Sequence, residues 1–139
     1  MLYNLRSDII YYKAGSDFEL EFNLCGCCRM RLLNDRASDP KTLVTSLARA
    51  VSRSKVIIIT GPLFGDEGLT KLVAGALSTD TEIADNKTFG IEGDTEINIL
   101  KGATPLVTAD GIFGGCIIEC GPQTMVLLSD SKNVRKICS

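Results

Sequence analysis

The sequence predicts an α/β fold, a three-layer sandwich with a mostly parallel central sheet and a hairpin-rich, partly antiparallel margin. Three observations predict it. The segment from Asp39 to Ser52 carries apolar residues at helical spacing and leads directly into Lys55-Val56-Ile57-Ile58-Ile59-Thr60, a β-branched run of the kind buried on both faces in a parallel sheet. A glycine-rich loop, Gly61 to Gly68, joins that run to a second helically spaced segment, Leu69 to Leu77. Beyond residue 104, short alternating runs separated by turn residues read as hairpin-linked strands.

Taken in order, Ile9 to Lys13 is β-branched and aromatic, Ala14 to Asp17 is a turn signal, and Phe18-Glu19-Leu20-Glu21-Phe22 alternates with period two. This predicts a hairpin or two short strands. A further strand fits Cys27 to Leu33, closed by the turn-prone cluster Asn34-Asp35-Arg36. The first helix starts with Asp39 as N-cap and Pro40 at the first helical position, and Leu43, Val44, Leu47, Ala48, Ala50 and Val51 form its apolar stripe. The run after it is predicted to be the central strand. Residues 78–102 are polar and weakly patterned, and only Glu96 to Leu100 suggests a short strand. The tail offers strands at Thr104 to Thr108, Gly115 to Glu119 and Thr124 to Leu128, with turns at Ala109-Asp110-Gly111 and Cys120-Gly121-Pro122.

Composition bounds the function. A chain of 139 residues with 45% apolar and 23% charged residues suits one globular domain over 1–139, able to bury a core without disulfides or metal. Its 15 basic and 17 acidic residues are interspersed and leave a formal charge of -2, so no basic field exists to track a nucleic-acid backbone. The N-terminus has no signal-peptide core, and no unbroken apolar run exceeds Val56 to Ile59, so the chain reads as cytoplasmic and neither exported nor embedded in a membrane. Six cysteines then read as reduced thiols. Histidine is absent, which removes the commonest general base and the imidazole of most zinc sites. Any catalysis rests on carboxylates, lysines, backbone amides or a metal.

Three stretches carry a family resemblance. Asp39-Pro40-Lys41-Thr42-Leu43 leads through Ala48 and Ala50 to Ser54-Lys55-Val56-Ile57-Ile58-Ile59-Thr60-Gly61. Asp66-Glu67-Gly68-Leu69-Thr70-Lys71 opens the second helix. Lys101-Gly102-Ala103-Thr104-Pro105-Leu106, Gly111 to Gly115 and Ile117-Ile118-Glu119 precede the last strand. In order and spacing these resemble the molybdopterin-binding domain family of molybdenum-cofactor biosynthesis and competence/damage-inducible proteins. The resemblance covers about two-thirds of the chain, on the layered architecture expected for such a domain.

The resemblance implies a pterin or nucleotide whose phosphate sits against the loop and helix N-terminus, where backbone N–H groups and the helix dipole favour anions. Thr60, Gly61, Gly65, Gly68 and Thr70 would contact this cofactor, molybdopterin or a nucleotide. Asp66 or Glu67 would be the catalytic acid, holding Mg or polarising the reacting group. Self-association into a homo-oligomer is also implied.

The departures are local. Pro62 stands at the loop's second glycine and removes an amide donor. Ser129-Asp130-Ser131-Lys132 replaces a Pro-Gly anion loop, and the N-terminal Gly-Asp-Glu signature is reduced to Gly15-Ser16-Asp17-Phe18-Glu19. They imply a binding domain with weak or lost catalysis. A noncatalytic oligomerising or regulatory module is the alternative.

Other residues read in two ways. Gly61 to Gly68 is either a ligand loop at the end of a central strand or an ordinary strand-to-helix turn. Cys25, Cys27, Cys28, Cys116, Cys120 and Cys138 could form a thiolate metal or redox site, but buried apolar packing is the commoner role. Asp66, Glu67, Asp94 and Glu96 could cluster around a metal or be solvated surface acids, and only the first two have a loop context. Glu119, flanked by apolar residues, reads as an outward position on a strand.

Overall fold

A computed structural model describes residues 3–13, 28–93 and 95–129. The chain runs β1 (Tyr3–Tyr12), β2 (Cys28–Ala37), α1 (Pro40–Arg53), β3 (Val56–Gly61), α2 (Leu69–Ala76), β4 (Thr81–Ile83), α3 (Asn86–Phe89), β5 (Asn98–Leu100), β6 (Thr104–Val107), β7 (Phe113–Cys120) and β8 (Gln123–Ser129). Six strands form one sheet in the order β2-β1-β3-β8-β7-β6, and β4 and β5 form a separate antiparallel pair. Strands β2, β1, β3 and β8 are mutually parallel, while β7 and β6 extend the sheet antiparallel. The fold is therefore mixed α/β with a mostly parallel centre and an antiparallel margin, as the sequence predicts.

The start of α1 follows from its first residues. The Asp39 side chain accepts a hydrogen bond from the Thr42 amide at 2.8 Å, and Pro40 sits where a missing N–H costs nothing. Cap formation holds the Asp39 carboxyl below its ordinary pKa, with the Thr42 amide as the largest cause. At the other end, Gln123 Nε2 donates to the Val51 and Ser54 carbonyls at 2.6 and 2.9 Å, so β8 closes the C-terminus of α1.

Strand alternation splits the apolar side chains between two faces. Ile10, Tyr12, Ile57, Ile59, Met125 and Leu127 join the core against Leu43, Leu47 and Ala50 of α1 and Leu69, Val73 and Ala74 of α2. Each fully buried Ile, Leu, Val or Met side chain among them contributes about 1.5–3 kcal/mol. Ile9, Tyr11, Ile58 and Leu128 are buried on the opposite face. Among the described residues no helix packs there, so two of the three expected layers are seen.

Several local expectations need correction. The first strand pairs in parallel with β2 and belongs to no hairpin, while the turn at 14–17 and the strand at Phe18 to Phe22 lie outside the described residues. The cluster Asn34-Asp35-Arg36 is not a turn: β2 continues through it to Ala37, paired residue by residue with β1 as far as Tyr12. Parallel pairing to a buried neighbour outweighs their turn propensity. Residues 78–102 hold the short strand expected within Glu96 to Leu100, as β5, together with a second three-residue strand and one helical turn that the sequence does not signal. That turn is capped by Asp85, which accepts from Thr88 Oγ1 at 2.6 Å and the Lys87 amide at 3.2 Å.

Candidate functional site

The strand order places a topological switch point at the C-terminal ends of β1 and β3. From β1 the chain moves outward to β2, then returns through α1 to β3 on the other side of β1, so connections diverge at the β1/β3 boundary. Open α/β sheets bind ligands at such a point. Gly61 ends β3 there, and a Cβ on it would lie 2.2 Å from the Tyr12 carbonyl oxygen, so only glycine lets the two strand ends approach this closely.

The loop beyond Gly61 is tightly wound. The Gly68 amide donates to the Gly65 carbonyl at 3.1 Å, Leu69 to Pro62 at 2.8 Å and Thr70 to Leu63 at 3.2 Å. A Cβ on Gly68 would meet Phe64 backbone atoms at 2.5 Å, so this turn also demands glycine. The first two amides of α2, those of Leu69 and Thr70, are thereby spent on the loop's own carbonyls. Pro62 has no N–H and the Leu69 and Thr70 amides face the loop, which leaves fewer donors here for the anion that the resemblance implies.

What the loop does build is a cleft of about 270 Å³ lined by Leu63, Phe64, Gly65, Thr70, Lys71, Thr81 and Asn98. The Phe64 side chain is 54% exposed, and its ring lies 6.0 Å from that of Phe113, centroid to centroid. Leu63 and Phe64 give the cleft an apolar wall, while Thr70, Thr81, Asn98 and Lys71 supply hydroxyl, amide and ammonium groups. That mixture suits a small planar heterocycle with polar edges.

The expected site residues separate into groups. Gly65 and Thr70 line the cleft, and Gly61 and Gly68 shape the loop. Thr60 is buried in the sheet with its hydroxyl 3.4 Å from the Ser129 carbonyl, in no position to meet a ligand in the cleft. Asp66 is almost fully exposed, with Lys71 Nζ 3.3 Å away. The Glu67 carboxylate pairs with Lys13, and its main-chain carbonyl accepts from Tyr12 Oη at 2.9 Å. The two acids thus point to different lysines and share no centre. The Glu67 carboxylate raises the Lys13 pKa above its ordinary value, chiefly by hydrogen bonding.

No group of three or more Cys, Asp or Glu side chains able to hold a metal occurs among the described residues. Glu96 lines a different hollow, beside Asp85 and Asn86, and Asp94 lies outside the described residues. Cys116 is buried and Cys120 exposed, both on β7; burial pushes the Cys116 thiol above its ordinary pKa. Cys25, Cys27 and Cys138, the Cys28 side chain, Gly15 to Phe18 and Asp130 to Lys132 fall outside the description. Glu119 is exposed near the end of β7, the outward position expected of it, and takes no part in the cleft.

Sequence reasoning misses Tyr12, Lys13, Thr81 and Asn98. The last two stand on three-residue strands too short for any periodic signal, and nothing local ties Lys13 to a glutamate 54 positions away.

No family model and no curated protein sequence matches the chain. Among solved structures, the chain is similar to the crystal structure of the protein CinA, of unknown function, from Thermoplasma acidophilum. The TM-score is 0.66, with 13% identity over 95% of this chain and 92% of that chain. At that identity the likeness establishes a CinA-like fold and leaves the ligand to the site itself.

Proposed function

We propose that this chain is a molybdopterin-binding-like domain that holds a pterin, or the base of a nucleotide, in the cleft between the β3–α2 loop and the β4–β5 pair, without appreciable turnover. The observation that carries the reading is the cleft, with exposed Phe64 available to stack on a planar ring and Thr70, Thr81 and Asn98 at its edges. Lys71 lies at the rim and suits an anionic substituent, screened by Asp66 until a ligand arrives. The reading without turnover is supported by the acids: Glu67 is engaged by Lys13, Asp66 stands in solvent, and among the described residues neither belongs to a group of acids able to hold Mg.

The test is thermal unfolding of reduced protein with molybdopterin and with Mg-nucleotides. A ligand at about 100 times its dissociation constant stabilises by about 2.7 kcal/mol, an easily read shift. A saturable shift that disappears in Phe64→Ala supports the reading, and Asp66→Ala shows whether that carboxylate takes part. No shift with any of these ligands overturns it.

One observation favours the second reading, a self-associating module. The outer surface of α1 and α2 carries an apolar hollow of about 260 Å³ lined by Val44, Leu47, Ala48, Val51, Ala76 and Leu77, with Val44 42% exposed. A stable oligomer by sedimentation, dispersed by Val44→Glu, would support it.

A further inference from the structure

Lys13 is held in an unusual way. It occupies the left-handed region at φ 51°, uncommon for a residue with a Cβ, and its amide donates to the Ala37 carbonyl at 2.9 Å, which ties the end of β1 to the end of β2. The ammonium group is thereby kept at the C-terminal edge of the sheet, 5.5 Å from the Tyr12 ring centroid, beside the point where β1 and β3 diverge. Both parts of Glu67 are engaged there, but not equally. The main-chain carbonyl is fixed by Tyr12 Oη, whose side chain is fully buried, whereas the carboxylate is 60% exposed. The backbone is an anchor and the carboxylate is free to leave.

We infer that Lys13 is a binding residue for a phosphate-like oxyanion, and that the Glu67 carboxylate is a built-in competitor occupying its place. An ion pair this exposed is weak and salt-screened, so a doubly charged oxyanion can displace it while the Tyr12 bond keeps the loop in position. The site lies apart from the Leu69 and Thr70 amides, which bond the loop's carbonyls, and it does not depend on what fills the neighbouring cleft.

The experiment is titration calorimetry with inorganic phosphate at constant ionic strength. Glu67→Gln keeps the main-chain acceptor for Tyr12, removes the competing charge, and is expected to bind phosphate about fivefold more tightly than the unaltered chain. The gain should vanish in Lys13→Gln/Glu67→Gln. Equal binding by Glu67→Gln and the unaltered chain, or a gain that survives loss of Lys13, overturns the inference. If Glu67→Gln fails to fold, lysine ¹⁵Nζ spectra of the unaltered chain decide: a Lys13 resonance that shifts saturably with phosphate supports the site, and one that does not move overturns it. A blank ligand panel in the cleft would leave this result standing.

Discussion

The two ends of strand β3 hold their charges in opposite ways. Near its start, Asp8 is 1% exposed and receives two hydrogen bonds from Arg53, at 2.7 and 3.0 Å, and one from Ser54 Oγ at 2.6 Å, while Gln123 closes the helix end beside them. Where β3 ends, Lys13–Glu67 and Lys71–Asp66 are exposed pairs, and Lys71 of the second lines the cleft. A buried carboxylate with multiple donors is costly to disturb, and an exposed pair exchanges readily with water and ions. The difference separates architecture from site: charges at the start of β3 fix α1 to the sheet, and those at its end remain available to ligands.

Breaking the first set should have the largest effect. Arg53→Met leaves the buried Asp8 carboxylate without its bidentate partner, and a fall in Tm on the order of 10–15 °C is expected by calorimetry. A fall no larger than that of Glu67→Gln would erase the contrast. Gly61→Ala comes next, because its new Cβ would strike backbone that cannot swing aside: a Tm loss of roughly 5–10 °C is expected, with wider separation of the β1 and β3 ends. Phe64→Ala sharpens the comparison from the other side. It should weaken a cleft ligand by about tenfold, as expected for loss of one stacking ring, while shifting Tm by no more than about 2 °C.

Smallest are the titrations. The pKa of Lys13 is raised by folding, so its contribution is complete below the ordinary value of 10.5 and is lost as pH rises through the higher folded value. Asp39 is the mirror case. Its pKa is lowered by the cap, so the contribution is complete above 3.8 and is lost as pH falls through the folded value. Amide exchange at Thr42 that speeds up only in that acid window would check the sign; exchange indifferent to pH beyond the intrinsic rate change would remove Asp39 from the cap.

How much of this was legible in the sequence depended on the length of the signal. Asp39-Pro40 and the stripe through Val51 place α1 within a residue of its bounds, and the isoleucine run marks β3 as a central strand. The paired strands β7 and β8 also fall where their turn residues put them. By contrast β4, α3 and β5 are each under five residues and are organised by side-chain contacts. Asn86 Nδ2 donates to the Gly93 and Thr95 carbonyls, and Glu82 accepts from the Gly102 amide, none of which leaves a periodic trace. The site divides on the same line. The loop was readable, but its amides turn inward because of carbonyl partners that only the folded loop supplies, and half the polar edge of the cleft comes from the unpatterned segment.

The two thiols of β7 supply an internal clock. Cys116 is 2% exposed and its thiolate is disfavoured by burial, so an aromatic disulfide reagent can reach it only when the sheet opens, whereas Cys120, four positions along, meets the reagent at once. The delay between the two modifications measures how often the antiparallel margin comes apart, on a timescale no static view records.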